Sequence, residues 1–99
     1  MSKYVVAFRG EPAGATSAAD EQAWGAWFGQ LGSTVTDRGN RVGASRTLPA
    51  SHRGDPGTSV LRGYVVIEAD NLDDAARLAA GCPGLAGAVD VEVAEVVPA

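Results

Sequence analysis

The sequence predicts an α+β domain built in the order strand, helix, strand, strand, helix, strand. Three observations predict it. Runs of β-branched and aromatic residues open the chain at Tyr4 to Phe8 and return at Tyr64 to Ile67, a composition that packs well on a pleated surface. Each run is followed by a stretch of helical periodicity with a capping residue before it and a glycine after it. A valine-rich segment, Ala88 to Val97, then closes the chain behind a Gly/Pro-rich connection.

The first strand spans Lys3 to Arg9. Tyr4, Val6 and Phe8 point to one side and Val5 and Ala7 to the other, so both faces are apolar. Pro12 and Gly14 mark a loop. Ser17 is the candidate N-cap of a helix that runs to about Leu31, with Asp20 and Glu21 in its first turn. Trp24, Trp27, Phe28 and Leu31 recur at i, i+3, i+4 and i+7 and form the inner stripe. Gly25 and Gly29 share a different face; they either admit a closely packed neighbour or are tolerated, at a joint cost of about 2 kcal/mol relative to Ala. Gly32 ends the helix.

Ser33 to Asp37 reads as a short strand and Asp37 to Asn40 as a turn. From Arg41 to Leu61 glycines and prolines interrupt any period, with a short strand expected around Arg46 to Leu48. Irregular segments of this length are usually functional or flexible. Tyr64 to Ala69 is the second long strand. Asn71 caps the helix behind it, Asp73 and Asp74 suit the positive end of its dipole, and Leu72, Ala75, Ala76 and Ala79 form its inner face. Gly81 is expected to take the left-handed turn that stops this helix, and Pro83 forbids continuation. In the last strand Val89, Val91 and Val93 take one face, and Asp90, Glu92, Ala94 and Val96 the other.

Two split β-α-β units in this order give the ferredoxin-like sandwich, an antiparallel sheet with both helices on one face. The first and third strands are nevertheless apolar on both sides. The expected cover for the open face is a second copy of the same sheet, which makes a homodimeric α/β barrel.

Ninety-nine residues make a single domain, 1–99, with an ordinary apolar share of 45%. A net charge of −4 disfavours direct nucleic-acid binding and binding to acidic membranes. That charge is uneven: Arg38 to Arg62 carries five Arg and one Asp, whereas Gly63 to Ala99 carries seven acids and one Arg. The basic segment is solvated surface, or it meets an anion or an acidic patch of a partner subunit. The single cysteine, Cys82, forms no internal disulfide and reads as a small buried hydrophobe. No apolar run approaches a membrane span, and Met1 to Tyr4 lacks signal-peptide architecture, so a cytoplasmic protein is expected. Phosphate loops, dinucleotide-binding glycine motifs, Cys/His metal spacing and serine-nucleophile elbows are all missing from the sequence, and neither cofactor nor metal is expected.

A set of features in order — the opening KYVV, Trp24-x-x-Trp27, Asp37-x-Gly39, GYVVIEADNLDDA from Gly63, GCP from Gly81 and the closing VEVAEV — resembles the YCII-related family, which includes the DGPF proteins. The resemblance covers nearly the whole chain and is weakest from Arg41 to Leu61. It implies a ferredoxin-like fold, a dimeric α/β barrel and a cytoplasmic location. Most members of that family have no assigned function; some are associated with extracytoplasmic-function sigma factors and some are thought to be small enzymes. In the enzyme-like branch the site is a His after the first strand and an Asp in an Asp-x-Gly context, which matches Asp37. Here Arg9-Gly10-Glu11-Pro12 stands where that His would be, and Gly54-Asp55-Pro56-Gly57 is the nearest approach to DGPF.

The candidate catalytic residues are Asp37, a carboxylate at a strand end that can act as a base or bond its own backbone as a turn residue, and His52, the single histidine. The candidate ligand-binding residues are Arg9, Trp24, Trp27, Asn40, Tyr64 and Glu68. The tryptophan stripe belongs to the core, or one Trp lines a pocket or a subunit contact. Glu68 and Glu92 face the dimer side if Val65, Ile67, Val91 and Val93 face the helices. Three functions follow: a dimeric protein binding a small organic ligand, or acting as an accessory protein; an isomerase- or lyase-type enzyme with Asp37 as acid/base; and a protein-binding partner linked to transcription regulation.

Overall fold

The computed structural model describes residues 1–10, 18–49, 51 and 59–98. Its strands are β1 (Ser2–Gly10), β2 (Val35–Arg41), β3 (Val60–Ala69) and β4 (Val89–Glu95); its helices are α1 (Ala18–Leu31) and α2 (Leu72–Ala79). Short 3-10 turns occupy Gly32–Thr34 and Pro83–Ala86. The sheet order is β2-β3-β1-β4 and every neighbouring pair is antiparallel. This α+β arrangement is the predicted one and is compatible with a ferredoxin-like sandwich.

Alternation along the strands sets the two faces. Tyr4, Val6 and Phe8 of β1 and Val65, Ile67 and Ala69 of β3 are buried, together with Trp27 and Leu31 of α1 and Ala75 and Ala79 of α2. Val89, Val91 and Val93 of β4 pack against this same cluster. Val6, Val65 and Ile67 are fully buried, and each such side chain contributes about 1.5–3 kcal/mol. Both helices therefore cover one face. The opposite face presents Lys3, Val5, Ala7 and Arg9 along β1, paired with Glu68, Val66, Tyr64 and Leu61 of β3. Ala94, Glu92 and Asp90 of β4 flank them on the other side. The condition set for Glu68 and Glu92 is met, and both lie on this uncovered face.

The aromatic stripe of α1 is where its period put it. Trp27 and Leu31 are buried, and Trp24 and Phe28 are half-buried. Gly25 and Gly29 are exposed, with nothing within 4 Å of where a Cβ would stand. They are tolerated in this chain rather than needed for close packing within it. Substituting Ala at either should stabilise the fold by up to about 1 kcal/mol, as read by urea denaturation. Ser17, the expected N-cap, lies outside the described residues. Gly32 adopts φ +52 at the end of α1, as its position predicts.

In α2 the Asn71 side chain accepts a hydrogen bond from the Asp74 N–H at 2.8 Å, so the predicted cap is present. Asn71→Ala should cost about 1 kcal/mol of stability, with an unchanged denaturant slope. The inner face differs from expectation. Ala75, Leu78 and Ala79, at i, i+3 and i+4, face the sheet, while Leu72 is 52% exposed and Ala76 is exposed. Ala76 lies about 100° round the helix from Ala75, and Leu72 stands at the helix start, ahead of the part that the sheet covers. The exit differs too. Among the described residues only Gly32 and Gly39 have positive φ, so Gly81 does not make a left-handed turn. Instead Cys82 and Gly81 donate to Ala79 and Leu78 carbonyls at 3.0 and 3.4 Å, a 3-10 tightening that satisfies the last carbonyls without a change of hand.

Two further expectations are corrected around β2. The segment Asp37 to Asn40 is not a turn that ends a strand; it lies inside β2, which continues to Arg41. Arg46 to Leu48 form no strand. Turn-type residues occur inside this strand because β2 carries irregularities between Val35 and Asp37 and between Asp37 and Asn40. Extra residues bulge out of the ladder there, and bulges favour the same Gly and Asx chemistry as turns.

Candidate functional site

The irregular strands meet at one corner of the sheet. Along β2, Arg38 and Gly39 together stand opposite one residue of β3, Val65, because Asp37 pairs with Val66 and Asn40 with Tyr64. Along β3, Arg62 is the extra residue against β1, because Phe8 pairs with Gly63 and Arg9 with Leu61. The Val42 N–H donates to the Arg62 carbonyl at 3.0 Å and keeps the two strands together past the bulges. Bulges re-aim side chains and strengthen local twist. Here they turn the corner into the wall of an open cleft of about 900 Å³ on the helix-bearing side.

The cleft has an aromatic side and a basic side. Phe8, Trp24 and Phe28 line it, and Tyr64 borders it from β3 with its side chain on the opposite face of the sheet. Phe8 and Trp24 meet edge to face, with ring centroids 4.9 Å apart. Arg38, Arg41 and Arg62 line it as well. The Arg38 guanidinium carbon is 5.6 Å from the centroid of the Phe28 ring, a cation–π contact that holds the charge beside the aromatic surface. Arg41 pairs with Gly63, which in turn pairs with Phe8. With no side chain at Gly63, the floor between Arg41 and Phe8 stays low. The far wall comes from the 3-10 turn Pro83–Ala86 and the start of β4. Asp20 of α1 is the one carboxylate among the described lining residues.

The expected site residues divide between this cleft and other places. Trp24 lines it, and Asn40 and Tyr64 border it where β2 pairs with β3; their side chains meet on the uncovered face, the Asn40 amide donating to the Tyr64 hydroxyl at 3.4 Å. Trp27 is only 3% exposed and belongs to the core; its Nε1–H donates to the Leu78 carbonyl at 3.2 Å. Arg9 and Glu68 lie on the other face of the sheet, and Arg9 donates to the Ser59 carbonyl at 3.4 Å. Asp37 is exposed and outside the cleft lining, and its Oδ1 accepts the Gly39 N–H at 2.8 Å. This is the backbone-bonding role weighed for it. His52 lies outside the described residues.

The residues that the sequence reading passed over are Arg38, Arg41 and Arg62. Their signal was the run of positive charge from Arg38 to Arg62, but only the pairing of β2 with β3 gathers these three on one cleft. Cys82 is buried, and burial pushes its thiol above the ordinary value, against smaller opposing effects of backbone hydrogen bonds from Gly84 and Leu85. A thiol so held is a packing group rather than a nucleophile. Among the described residues, no group of three or more His, Cys, Asp or Glu is placed to hold a metal ion, and no helix is long and apolar enough to cross a membrane.

The chain matches no protein-family model, and a search of curated proteins gave no match.

Proposed function

We propose that this protein binds a small organic molecule in the cleft between α1, the bulged β2–β3 corner and the Pro83–Ala86 turn. The cleft itself carries the reading. Its volume of about 900 Å³ lies in the range of small-molecule sites, which combine apolar walls with a few polar groups. Three of the six aromatic residues of the chain, Phe8, Trp24 and Phe28, line it from the helix-bearing side.

Trp24 supplies the test. It lines the cleft, whereas Trp27 is enclosed, so an occupant should change the emission of Trp24 alone. The protein is titrated with a panel of small aromatic acids, aromatic amides and aliphatic acids, with fluorescence and thermal melting as readouts. Saturable change with at least one class, lost from the fluorescence signal in Trp24→Phe but kept in the melting shift, supports the reading. No change with any class in either readout overturns it.

Self-association belongs to the same proposal. The uncovered sheet face offers Val5, Ala7 and Val66, each half-buried, in one patch with Tyr64 and exposed Ala94. Lys3 and Arg9 stand on β1, the central strand of this face, and Glu68, Asp90 and Glu92 flank it on both sides. A second copy packed face to face meets this pattern of charge with its own, and the dimer would be the α/β barrel that the resemblance to the YCII-related family implies. Sedimentation equilibrium should give a dimer, and Val66→Arg should give a folded monomer. A wild-type monomer at tens of micromolar would remove this part and leave the cleft untouched.

A further inference from the structure

We propose that the occupant of the cleft is an aromatic oxyanion: a planar ring bearing a carboxylate or a phosphate group. The inference rests on the binding reading above and adds the chemical class.

The charge of the cleft runs against that of the protein. The chain as a whole carries −4, yet three arginines and one aspartate are the charged residues among the described cleft lining. The side chains of Arg41 and Arg62 have no ion-pair partner among the described residues. The chain does not lack carboxylates, since Gly63 to Ala99 alone contributes seven acids. Like charges gathered in a concave place repel one another, and the field they make is focused on whatever enters. An anionic occupant relieves that repulsion.

The residue type narrows the class. The guanidinium is a planar fork that matches carboxylate and phosphate oxygens two at a time and stacks on rings. In this part of the cleft all three cations are arginine. Two of them stand at strand bulges, Arg38 in β2 and Arg62 in β3, and Arg41 ends β2. Their backbone positions are tied by the β2–β3 ladder and by the Val42 to Arg62 hydrogen bond, so the cluster is fixed by the sheet.

The aromatic requirement comes from the neighbouring wall. Phe8 and Trp24 form a rigid edge-to-face pair, and Phe28 lies beneath Arg38. A ligand ring stacked on this wall places a charged substituent toward the arginines across the low floor at Gly63. An aliphatic acid would meet the charge and leave the ring surface wet. A neutral ring would do the reverse.

The probes are 2-naphthoate, 2-naphthyl phosphate, 2-naphthamide and inorganic phosphate, titrated by calorimetry into the full-length protein at low and moderate salt. At least one of the two aromatic anions should bind tenfold or more tighter than 2-naphthamide and than inorganic phosphate; which anion leads tells carboxylate from phosphate. Arg41→Gln should weaken the better anion about tenfold, equivalent to about 1.4 kcal/mol, and leave 2-naphthamide unchanged. Arg62→Gln should do the same, and Arg41→Lys should restore only part of the loss. Arg41 is exposed at a strand end, so its variant keeps the test valid if Arg62→Gln folds poorly. Equal binding of 2-naphthoate, 2-naphthyl phosphate and 2-naphthamide would overturn the oxyanion and leave a binding cleft. Inorganic phosphate binding as tightly as the aromatic anions would overturn the ring. Binding by none of the four probes would overturn this inference, while the wider panel on Trp24 decides separately whether the cleft binds anything.

Discussion

Trp27→Ala is expected to remove about 3–5 kcal/mol of folding free energy, the largest loss from any single truncation in α1. The indole is 3% exposed. It makes ring contacts with Phe8 and Trp24 at 5.8 Å and with Phe28 at 5.4 Å, and it binds the carbonyl that ends α2. That hydrogen bond makes Trp27 more than filler, because it ties α1 to Leu78 and so holds the two helices together. Removing the ring leaves a cavity and takes from the Leu78 carbonyl its shorter bond, leaving the 3.4 Å bond from the Gly81 N–H. Trp27→Phe keeps a ring and gives up the bond, so it should cost clearly less: about 0.5–1.5 kcal/mol for the hydrogen bond and a smaller cavity besides. Domains of this size have a total stability of about 5–15 kcal/mol, so the Ala variant should lie near the edge of folding. Urea denaturation followed by far-UV circular dichroism measures this, with the midpoint falling and the slope held. Trp24→Ala is the comparison. Trp24 is half-buried and lines the cleft, so its removal should cost less stability and more ligand affinity. A loss below about 1 kcal/mol for Trp27→Ala, too small for a truncated core aromatic, would mean that α1 is not docked through this residue.

The difference between the two tryptophans was beyond the sequence, and the reason is general to the chain. Helical period put both on the inner stripe, which is correct, but period does not say where the sheet ends. Trp27 lies over the paired strands, and Trp24 lies one turn closer to the bulged corner and packs on Gly84, where a Cβ would come within 3.1 Å of its ring. The same limit explains β2. Strand alternation and caps are local, so β1, β3, the Asn71 cap of α2 and the inward face of β4 were legible from their own residues, whereas the face that α2 buries and its exit at Gly81 were not. A bulge is a relation between two strands. The stretch Asp37-Arg38-Gly39-Asn40 carries turn chemistry whether it reverses the chain or swells a ladder, and only its partners Tyr64 to Val66 decide between them. The arginines of the cleft share this fate: their excess of charge was visible in the sequence, and their convergence was not. Asp37, the residue that the resemblance favoured for chemistry, is held within the β2 bulge through the Gly39 N–H.

Gly39→Ala should therefore be the most disruptive edge-strand substitution among the described residues, and it tests the corner directly. Gly39 has φ +66, a conformation that costs an L-residue about 1–2 kcal/mol. A methyl group there would also overlap the Tyr64 carbonyl oxygen and come within 2.9 Å of the Tyr64 ring. The obstacle is backbone of the neighbouring strand, so no rotamer change relieves it, and β2 must move away from β3. We expect a loss of about 3 kcal/mol or more, in the range reserved for backbone clashes and special φ. β2 is an edge strand, so the damage should also be local: amide exchange should quicken from Val35 to Arg41 and along the Gly63 to Ile67 side that faces it, while Val6 and Val93 of the β1–β4 pair stay protected. Ligand affinity should fall with it, because Arg38 and Arg41 reach the cleft only while β2 holds its bulge. Gly29→Ala is the control, since it sits on an open helix face and should stabilise. If Gly39→Ala instead left stability within about 0.5 kcal/mol of wild type, the range of an unconstrained surface site, the bulge would not be a fixed part of the fold. The arginines would then have no frame to hold them over the aromatic wall.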